Sequence, residues 1–252
     1  MKIEMIVLDL DRSLLKNDKS LSEYTIKVIN TCFKMGIKII FATARPIRTV
    51  VKYMDKINTN GSIFHNGAIV MAHNKILSEY GINSYKTKEI IEKIMYNYSQ
   101  ATISVEINDV MYTNFDISED WAYTKINLME LPDEKADKII VGSIHLDEII
   151  KINQYITEEL YLEINDGKYG FIMNKKASKW NGIKILSEYF KIKNENIVAF
   201  GDDINDIEMV KNCGIGICVK NGLKEVKEVA NEICEDNEND GIAKWIEEKI
   251  IK

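Results

Sequence analysis

An apolar run that ends in two closely spaced aspartates constrains this chain more than any other feature of its sequence. Met5 to Leu8 form a short apolar run typical of a buried strand, and Asp9 and Asp11 follow it directly. Residues two apart on an extended chain point to the same side, so both carboxylates are expected to face one spot. Two close carboxylates repel each other unless a cation or a proton lies between them. The pair therefore indicates a metal site, an acid/base site or both. At this point the alternative, a strand that merely ends in a polar loop, is not excluded.

The composition restricts the classes of partner. The chain has 252 residues, of which 46% are hydrophobic and 29% charged, and this is ordinary for a soluble globular protein. Its net charge of −6 provides no basic field that would attract nucleic acid or an anionic membrane. No apolar run approaches the roughly 18–20 residues of a membrane span, and the first apolar run is too short for a signal peptide. We therefore expect a cytoplasmic protein that binds neither nucleic acid nor membrane.

The cysteines give no sign of a metal site. The chain contains Cys32, Cys213, Cys218 and Cys234. None of them forms a Cys-x-x-Cys pair, and with three histidines in the whole chain no zinc-ligand spacing occurs. The simplest interpretation is that all four are free thiols in a reducing compartment.

Strand-like and helix-like segments alternate in two separate parts of the chain. The apolar runs at 5–8 and 37–42 are each followed by a helical pattern, and the same alternation returns in the last third of the sequence. Alternation of this kind predicts an α/β core built on a doubly wound, Rossmann-like parallel sheet. We expect this core to comprise residues 1–80 and 174–252.

The intervening residues, 81–173, show a different pattern. Lys86–Tyr98 and Asp147–Leu160 have helical periodicity, and short strands are indicated around tight turns between and after them. Helices combined with paired strands predict an inserted α+β unit with a small core of its own.

Polar residues follow two further strands of the predicted sheet. Thr43 follows the apolar run 37–42. A second group follows the apolar run 196–200 and consists of Asp202, Asp203, Asn205 and Asp206. Ligands bind at the carboxyl ends of strands in such sheets, so both groups are expected to converge with the first aspartate pair. Alone, the second group also fits a turn with an aspartate helix cap. Beside the first pair, its oxygen ligands favour a site for a hard cation such as Mg²⁺.

Four segments in this order resemble the four motifs of the haloacid-dehalogenase-like (HAD) hydrolases. They are Asp9–Leu15, Thr43-Ala44-Arg45, Lys179 and Gly201–Asp206. Their order and spacing, with an insert between the second and third motifs, resemble the Cof-type branch, whose α/β cap enters there. Further similar stretches are Asn66-Gly67-Ala68, Gly214-Ile215-Gly216 and Asp240–Ala243. The resemblance covers nearly the whole chain, although in the insert it is one of layout more than of residues.

The resemblance implies a role for each motif residue. Asp9 would be the nucleophile that forms an aspartyl-phosphate, and Asp11 would protonate the leaving oxygen and later activate water. Thr43, by its hydroxyl and backbone N–H, and Lys179 would hold the phosphoryl oxygens. Ala44 stands at a phosphate-binding position where the family usually has Gly.

The resemblance also implies a Mg²⁺ site. Asp9, the backbone carbonyl of Asp11 and Asp202 would be ligands, and Asp206 would bind directly or through water. Asn205, next to them, would orient the lysine or the loop and belongs with the expected phosphate-binding residues.

One departure from the family pattern lies at the mouth of the expected site. Arg12-Ser13 stand where the family usually has Gly-Thr. Ser13 retains the hydroxyl, whereas Arg12 either adds a contact to phosphate or substrate or crowds the site and slows turnover. Arg45 is a second candidate for a substrate contact.

The insert is expected to determine substrate specificity, but it contains no motif that names a substrate. Trp121, Tyr123 and His145 are its candidates for substrate contact. Core packing or ordinary surface is the simpler interpretation of these three side chains.

The resemblance implies a Mg²⁺-dependent phosphatase of a small phosphorylated metabolite, such as a sugar phosphate or a phosphorylated cofactor. A phosphomutase acting on a sugar phosphate remains open, because a related capped branch returns the phosphoryl group to another hydroxyl. Arg12 leaves open a catalytically weak phosphometabolite-binding protein. A metal-dependent glycosyltransferase using Asp-x-Asp is disfavoured, since it would not account for Thr43 and Lys179. The sequence does not decide the oligomeric state.

Overall fold

The computed structural model describes residues 2–117, 122–165 and 167–252 of the chain. These residues form two compact units. We call the first, Met1–Glu79 with Ser178–Lys252, the core domain, and the second, Tyr80–Ala177, the insert.

Helices and strands alternate along the core domain and are grouped differently in the insert. The first part of the core domain contains β1 (Met5–Leu8), α1 (Glu23–Lys34), β2 (Lys38–Ala42), α2 (Ile47–Met54), β3 (Gly61–Phe64), β4 (Ile69–Ala72) and β5 (Lys75–Glu79). The insert contains α3 (Ser84–Asn97), β6 (Thr102–Ile107), β7 (Val110–Thr113), β8 (Thr124–Lys125), β9 (Lys138–Gly142), α4 (Leu146–Lys151), β10 (Leu160–Asn165) and β11 (Tyr169–Asn174). The core domain then continues with α5 (Lys179–Phe190), β12 (Ile197–Gly201), α6 (Ile207–Asn212), β13 (Ile215–Val219), α7 (Lys224–Val229), β14 (Glu232–Cys234) and α8 (Gly241–Ile246).

The junction between insert and core domain lies later than the predicted boundary at 173/174. Strand β11 runs to Asn174, and the backbone N–H of Lys175 donates to the carbonyl oxygen of Glu159 at 2.8 Å. The hydroxyl of Tyr161 donates to the carbonyl oxygen of Ala177 at 3.2 Å. These bonds tie the residues up to 177 to the insert, so the core domain resumes at 178.

The core domain is built on an eight-stranded sheet with the strand order β14-β13-β12-β1-β2-β3-β4-β5. The strands from β14 to β3 are parallel to one another. Strand β4 is antiparallel to both of its neighbours, β3 and β5. Helices α1, α2 and α8 pack on one face of the sheet, and α5, α6 and α7 pack on the other. Because both faces are covered, a central parallel strand must be apolar on both sides. This accounts for the unbroken run Met5–Leu8, in which every residue is buried.

The strand order reverses at β1, which determines where a ligand can bind. The chain proceeds from β1 through β2 to one edge of the sheet, and the later strands start again on the other side of β1 with β12. Leu8, at the end of β1, pairs with both Phe41 and Phe200. The carboxyl ends of β12, β1 and β2 are therefore neighbours at a switch point, where open α/β sheets bind ligands.

The insert consists of a six-stranded sheet with the order β10-β11-β9-β6-β7-β8 and its own hydrophobic core. All neighbouring strands are antiparallel except β7 and β8, which are parallel. Helix α3 contributes Ile90, Ile91 and Ile94 to this core, and Ile152, just after α4, packs there as well. The insert thus buries apolar surface of its own, as the sequence predicted for an α+β unit.

The predicted helix over 147–160 is wrong in its second half. Helix α4 ends at Lys151, a 3₁₀ turn covers Ile152–Tyr155, and Leu160 already belongs to β10. Two β-branched residues, Ile156 and Thr157, follow the 3₁₀ turn, and such residues lose side-chain freedom in a helix.

Two remaining expectations concern membranes and cysteines. Among the residues that the structure describes, no helix combines the length and the apolar character needed to cross a membrane. The four cysteines are buried free thiols, and burial raises the pKa of Cys32 to about 11. Burial likewise raises the pKa of Cys213 to about 12. Both thiols are therefore neutral at physiological pH.

Candidate active site

Asp9 lies at the carboxyl end of β1 and is almost completely buried. Its backbone N–H donates to the carbonyl oxygen of Phe200 at 3.1 Å, which extends the pairing of β1 with β12 by one residue. Oδ1 accepts a hydrogen bond of 2.6 Å from Lys179, whereas Oδ2 has no hydrogen-bond partner among the described residues. Burial raises the pKa of Asp9 well above its ordinary value, although Lys179 counteracts part of the shift. This carboxylate therefore has one buried oxygen that lacks a partner.

Lys179 is the first residue of α5 and joins two carboxylates. Ser178 caps the helix by accepting the backbone N–H of Asn181 at 3.1 Å, which fixes the point at which the lysine leaves the backbone. The buried Nζ donates to Oδ1 of Asp9 and to Oδ1 of Asp206, both at 2.6 Å. Burial alone would lower the pKa of Lys179, but the two carboxylates outweigh it and raise the pKa. The side chain is therefore a cation, and two of its three donors are engaged.

The loop after β12 presents a second pair of carboxylates. Oδ2 of Asp206 accepts the backbone N–H groups of Asp202 at 2.9 Å and of Asp203 at 3.1 Å. Oδ1 of Asp202 accepts the hydroxyl of Ser13 at 3.0 Å. Burial, together with the charge of Asp206, raises the pKa of Asp202 to about 6. The carboxylate of Asp203 instead accepts a hydrogen bond of 2.7 Å from the backbone N–H of Ile204, so it stabilises the loop.

Three buried carboxylates form a group that can hold a metal ion. One ligand oxygen each from Asp9, Asp202 and Asp206 lies within 4.8 Å of the other two. The unpaired Oδ2 of Asp9 and the raised pKa of Asp202 are what is expected where three buried carboxylates share fewer cationic side chains than they need for neutralisation. Oxygen ligands suit a hard cation, so the residues fit Mg²⁺.

The carboxylate of Asp11 makes other contacts. Its two oxygens accept hydrogen bonds from Nε and Nη2 of Arg45, each at 2.6 Å, and Oδ1 also accepts Nζ of Lys19 at 2.9 Å. Partial burial would raise the pKa of Asp11, but the bonds from Arg45 and Lys19 outweigh it and lower the pKa to about 2. Both carboxylate oxygens of Asp11 thus bond to cationic side chains. The group of Asp11 that is predicted to bind the metal ion is its backbone carbonyl, which these contacts do not involve.

Arg12 occupies a left-handed backbone conformation, with φ of 60° and ψ of 1°. Such a conformation is costly for most residues and free for glycine, which gives a physical reason for the glycine that the HAD pattern usually has here. The carbonyl oxygen of Arg12 accepts Nδ2 of Asn221 at 2.7 Å and so holds the turn. Its half-exposed side chain places Nε 3.7 Å from Oδ2 of Asp202. The guanidinium therefore lies at the edge of the acidic group.

Thr43 follows β2 and is buried. Its backbone N–H donates to the carbonyl oxygen of Ile63 at 2.8 Å, and its hydroxyl oxygen accepts the N–H of Arg45 at 3.1 Å. The backbone N–H is already used within the sheet, which leaves the hydroxyl as the group of Thr43 that can reach a phosphate. Ala44, the next residue, is half-buried at the same strand end.

Asn205 contacts a residue to which the sequence analysis gave no role. Its Nδ2 donates to Oδ1 of Asn66 at 3.0 Å, whereas Lys179 bonds to two aspartates. Asn66 belongs to one of the stretches that resemble the HAD pattern, and this was the available signal. No sequence pattern indicated the contact of Lys19 with Asp11, because Lys19 is one of 33 lysines and arginines in the chain.

Two of the three candidate residues of the insert, Tyr123 and His145, lie among the described residues. Trp121 lies outside the described residues, and Tyr123 is half-buried. His145 is exposed and precedes α4, where its backbone N–H donates to Glu148 at 2.9 Å. The interpretation as ordinary surface remains the simplest for His145.

Known proteins resemble the chain over its whole length. The 5-amino-6-(5-phospho-D-ribitylamino)uracil phosphatase YitU of Bacillus subtilis is 27% identical over 266 residues, which cover 97% of this chain and 96% of that protein. A phosphoglycolate phosphatase of Methanobrevibacter smithii is 22% identical, with full coverage of both chains. The crystal structure of a haloacid dehalogenase-like hydrolase from Bacteroides thetaiotaomicron superposes with a TM-score of 0.88 at 20% identity, covering 98% of this chain and 99% of that one.

A sequence model of the haloacid dehalogenase-like hydrolases matches residues 6–246, which is nearly the whole chain. The predicted α/β fold and the predicted phosphatase type of enzyme are confirmed by this match together with the relatives. The chain is a member of the haloacid dehalogenase-like hydrolase family.

Proposed function

We propose that this hydrolase is a Mg²⁺-dependent phosphatase that removes the phosphoryl group from a small phosphorylated metabolite through an aspartyl-phosphate. The observation that carries the proposal is the buried carboxylate of Asp9. Lys179 bonds to one of its oxygens, and the other has no hydrogen-bond partner in the part of the chain that the structure describes. A carboxylate in this state is oriented and poorly solvated, as an attacking group should be.

In the proposed reaction, the carboxylate of Asp9 attacks phosphorus and the bond from phosphorus to the alcohol oxygen breaks. The departing oxygen takes a proton from Asp11. Asp11 then accepts a proton from a water molecule, whose oxygen attacks the aspartyl-phosphate, and this step releases inorganic phosphate and regenerates Asp9. The third donor of Lys179 and the hydroxyl of Thr43 are the proposed contacts to the phosphoryl oxygens.

Asp11 must become protonated before it can act as the acid. With its pKa lowered to about 2 by Arg45 and Lys19, it is ionised at neutral pH. Exchange of one of these cationic contacts for the leaving oxygen of the substrate would raise the pKa and favour the protonated form. The proposed acid role therefore requires substrate binding to loosen the hold of Arg45 or Lys19.

The proposed metal ligands are Asp9, Asp202 and the backbone carbonyl of Asp11, with Asp206 bound directly or through water. When bound, Mg²⁺ supplies positive charge that offsets the crowded carboxylates and the phosphoryl oxygens. The buried group formed by Asp9, Asp202 and Asp206 supports this assignment.

The class of substrate is proposed from the relatives. One is named a phosphatase of a phosphorylated ribitylamino-uracil, another a phosphoglycolate phosphatase, and a structural neighbour of TM-score 0.85 and 20% identity is named a sugar phosphatase. All three names describe small phosphate monoesters. We propose a substrate of this size, with the insert as the domain that selects it.

The test is Mg²⁺-dependent release of phosphate from p-nitrophenyl phosphate and from a panel of small phosphate monoesters. Wild-type protein is expected to be active with Mg²⁺ and inactive in excess EDTA. Asp9→Asn should abolish turnover, while Asp18→Asn, at an exposed aspartate of the same domain, should retain it. Equal activity of Asp9→Asn and wild type would sink the assignment of the nucleophile. Chromatography of the products shows whether any substrate is isomerised instead, which would indicate a phosphomutase.

A further inference from the structure

The short turn His65–Gly67 contacts all three segments that carry the proposed phosphate-binding groups. The backbone N–H of Asn66 donates to the carbonyl oxygen of Thr43 at 2.9 Å. Oδ1 of Asn66 accepts Nδ2 of Asn205 at 3.0 Å. Gly67 packs so closely on the backbone of Ser178 that a Cβ atom there would overlap it. The turn therefore lies between the end of β2, the start of α5 and the loop after β12.

The carboxamide of Asn66 has a donor without a partner. The residue is 2% exposed, and its Nδ2 has no hydrogen-bond partner among the described residues. The same holds for Oδ1 of Asn205. A single hydrogen bond between two carboxamides leaves one amino group and one carbonyl oxygen unpaired, whichever way each amide is turned. A buried donor without a partner destabilises the protein, so binding of a ligand that accepts its hydrogen bond is favoured.

Donors for an anion are scarce among the neighbouring side chains. The carboxylates of Asp9, Asp202 and Asp206 accept hydrogen bonds when ionised and do not donate. Lys179 has already given two of its three donors to Asp9 and Asp206. A phosphoryl group has three terminal oxygens, each of which can accept hydrogen bonds, so it can take more donors than Lys179 and Thr43 supply.

We propose that Asn66 is a further ligand-binding residue, whose carboxamide donates a hydrogen bond to an oxygen of the phosphoryl group. The inference rests on the proposed function and deepens it by adding a neutral donor to the same site. In this arrangement Asn205 holds the carboxamide of Asn66 in place through the amide–amide hydrogen bond. The left-handed backbone of Asn66, with φ of 56°, suits this residue, because Asn adopts that conformation more readily than most others.

The experiment measures binding of inorganic phosphate to the whole protein in the presence of Mg²⁺ by titration calorimetry. Two variants are compared with wild type. Asn66→Ala removes the donor and the acceptor, whereas Asn66→Asp keeps an oxygen for Asn205 and tolerates positive φ, but replaces the donor by a negative charge. Both variants are expected to weaken phosphate binding at least about tenfold, because the hydrogen bond goes to a charged ligand.

Each other outcome overturns the inference in a recognisable way. If Asn66→Ala binds weakly and Asn66→Asp binds like wild type, Asn66 serves only to hold Asn205. If only Asn66→Asp is weakened, the added charge acts from a distance and no donor is involved. Wild-type affinity in both variants, or absence of phosphate binding to wild type, also contradicts it. Should Asn66→Ala fail to fold because of its positive φ, Asn66→Gly replaces it in the comparison.

The same variants distinguish failure of this inference from failure of the proposed function. Hydrolysis of p-nitrophenyl phosphate by wild type tests the proposed function alone. For an active enzyme, the loss of the Asn66 donor is expected to raise KM at least about tenfold, in parallel with the loss of phosphate affinity. An active wild type whose variants keep KM and phosphate affinity would refute the role of Asn66 and leave the phosphatase proposal intact.

Discussion

Arg45 donates two hydrogen bonds of 2.6 Å to the carboxylate of Asp11, one to each oxygen. A guanidinium that bonds both oxygens of a carboxylate fixes its orientation as well as its charge. The guanidinium carbon of Arg45 also lies over the ring of Tyr53, 5.7 Å from its centroid, and this contact helps to position the arginine. Asp11, which follows β1, is thus oriented by a residue that follows β2. This relationship joins the first two motifs directly.

This ion pair makes stability depend on pH in a defined range. The pKa of Asp11 is lowered from 3.8 to about 2 in the folded protein, so folding favours its ionised form. The stabilisation is fully present above about pH 4 and is lost as pH falls through about 2. After allowance for partial exposure, we expect it to amount to about 1–2 kcal/mol. Urea unfolding between pH 6 and pH 2.5 should show wild type losing about two thirds of this amount more than Asp11→Asn, because pH 2.5 still lies above the folded pKa.

The matched control for this measurement is Asp55→Asn, at an exposed aspartate that ends α2 in the same domain. Its stability curve should run parallel to that of wild type. If the curve of Asp11→Asn runs parallel as well, Arg45 and Lys19 do not stabilise the carboxylate of Asp11.

Lys179 provides a prediction about metal dependence. Replacement of Lys179 by Met removes the cation that lies between the buried carboxylates of Asp9 and Asp206. Loss of one partner from a buried ionic group costs about 3–5 kcal/mol, and we expect a decrease of this size in the free energy of unfolding in EDTA. Mg²⁺ binds the folded state, so it should stabilise the variant more than it stabilises wild type.

The control for Lys179→Met is Lys184→Met, which changes an exposed lysine of the same helix. It should alter stability by less than about 0.5 kcal/mol with or without Mg²⁺. An equal effect of Mg²⁺ on Lys179→Met and wild type would contradict the view that Asp9 and Asp206 lie at the metal site.

The parts of the site that could be predicted from sequence are those that follow from strand order. An apolar run followed by aspartates shows where a buried parallel strand ends, and adjacent strand ends must meet. This reasoning placed Asp9, Thr43 and Asp202 at one edge of the sheet, and the structure has β12, β1 and β2 side by side there. The short strand β8 and the end of α4 were missed, because two-residue pairings and local turns have little periodicity.

Side-chain partners within the site could not be predicted. The sequence proposed Arg45 as a substrate contact, but in the structure two of its guanidinium nitrogens bond to Asp11. It also left Lys19 and Asn66 without a role. Whether a long cationic side chain meets a carboxylate or a ligand depends on distances of a few ångströms, and spacing along the chain does not fix these. The substrate contact of Arg45 stays a prediction.

Arg12 offers a test of backbone strain at the mouth of the site. Its φ of 60° costs an ordinary residue about 1–2 kcal/mol, whereas glycine avoids this cost. Arg12→Gly should therefore be about 1 kcal/mol more stable than Arg12→Ala, which also removes the charge but keeps Cβ. Both variants lose the half-exposed contact with Asp202, so this loss cancels when their free energies of unfolding in urea are compared. Equal stability would show that the turn relaxes without cost.

Activity of the same two variants separates the two interpretations of Arg12. If its guanidinium crowds the site, both variants should raise kcat. If it binds phosphate or substrate, both should raise KM and leave kcat less affected. Identical kinetics in wild type and both variants would exclude both effects.

Gly67 provides the strongest steric prediction. It has φ of 111°, and a Cβ atom there would overlap the backbone of Ser178, which caps the helix that begins with Lys179. Gly67→Ala should therefore destabilise the protein by at least about 2 kcal/mol and lower kcat, because the start of α5 must move. Gly36→Ala is the matched control, since Gly36 has φ of 89° and nothing lies within 4 Å of its Cβ position. That variant should lose about 1 kcal/mol from strain and keep its kcat. If Gly67→Ala and Gly36→Ala had the same kcat, the close packing of Gly67 on Ser178 would have no part in positioning Lys179.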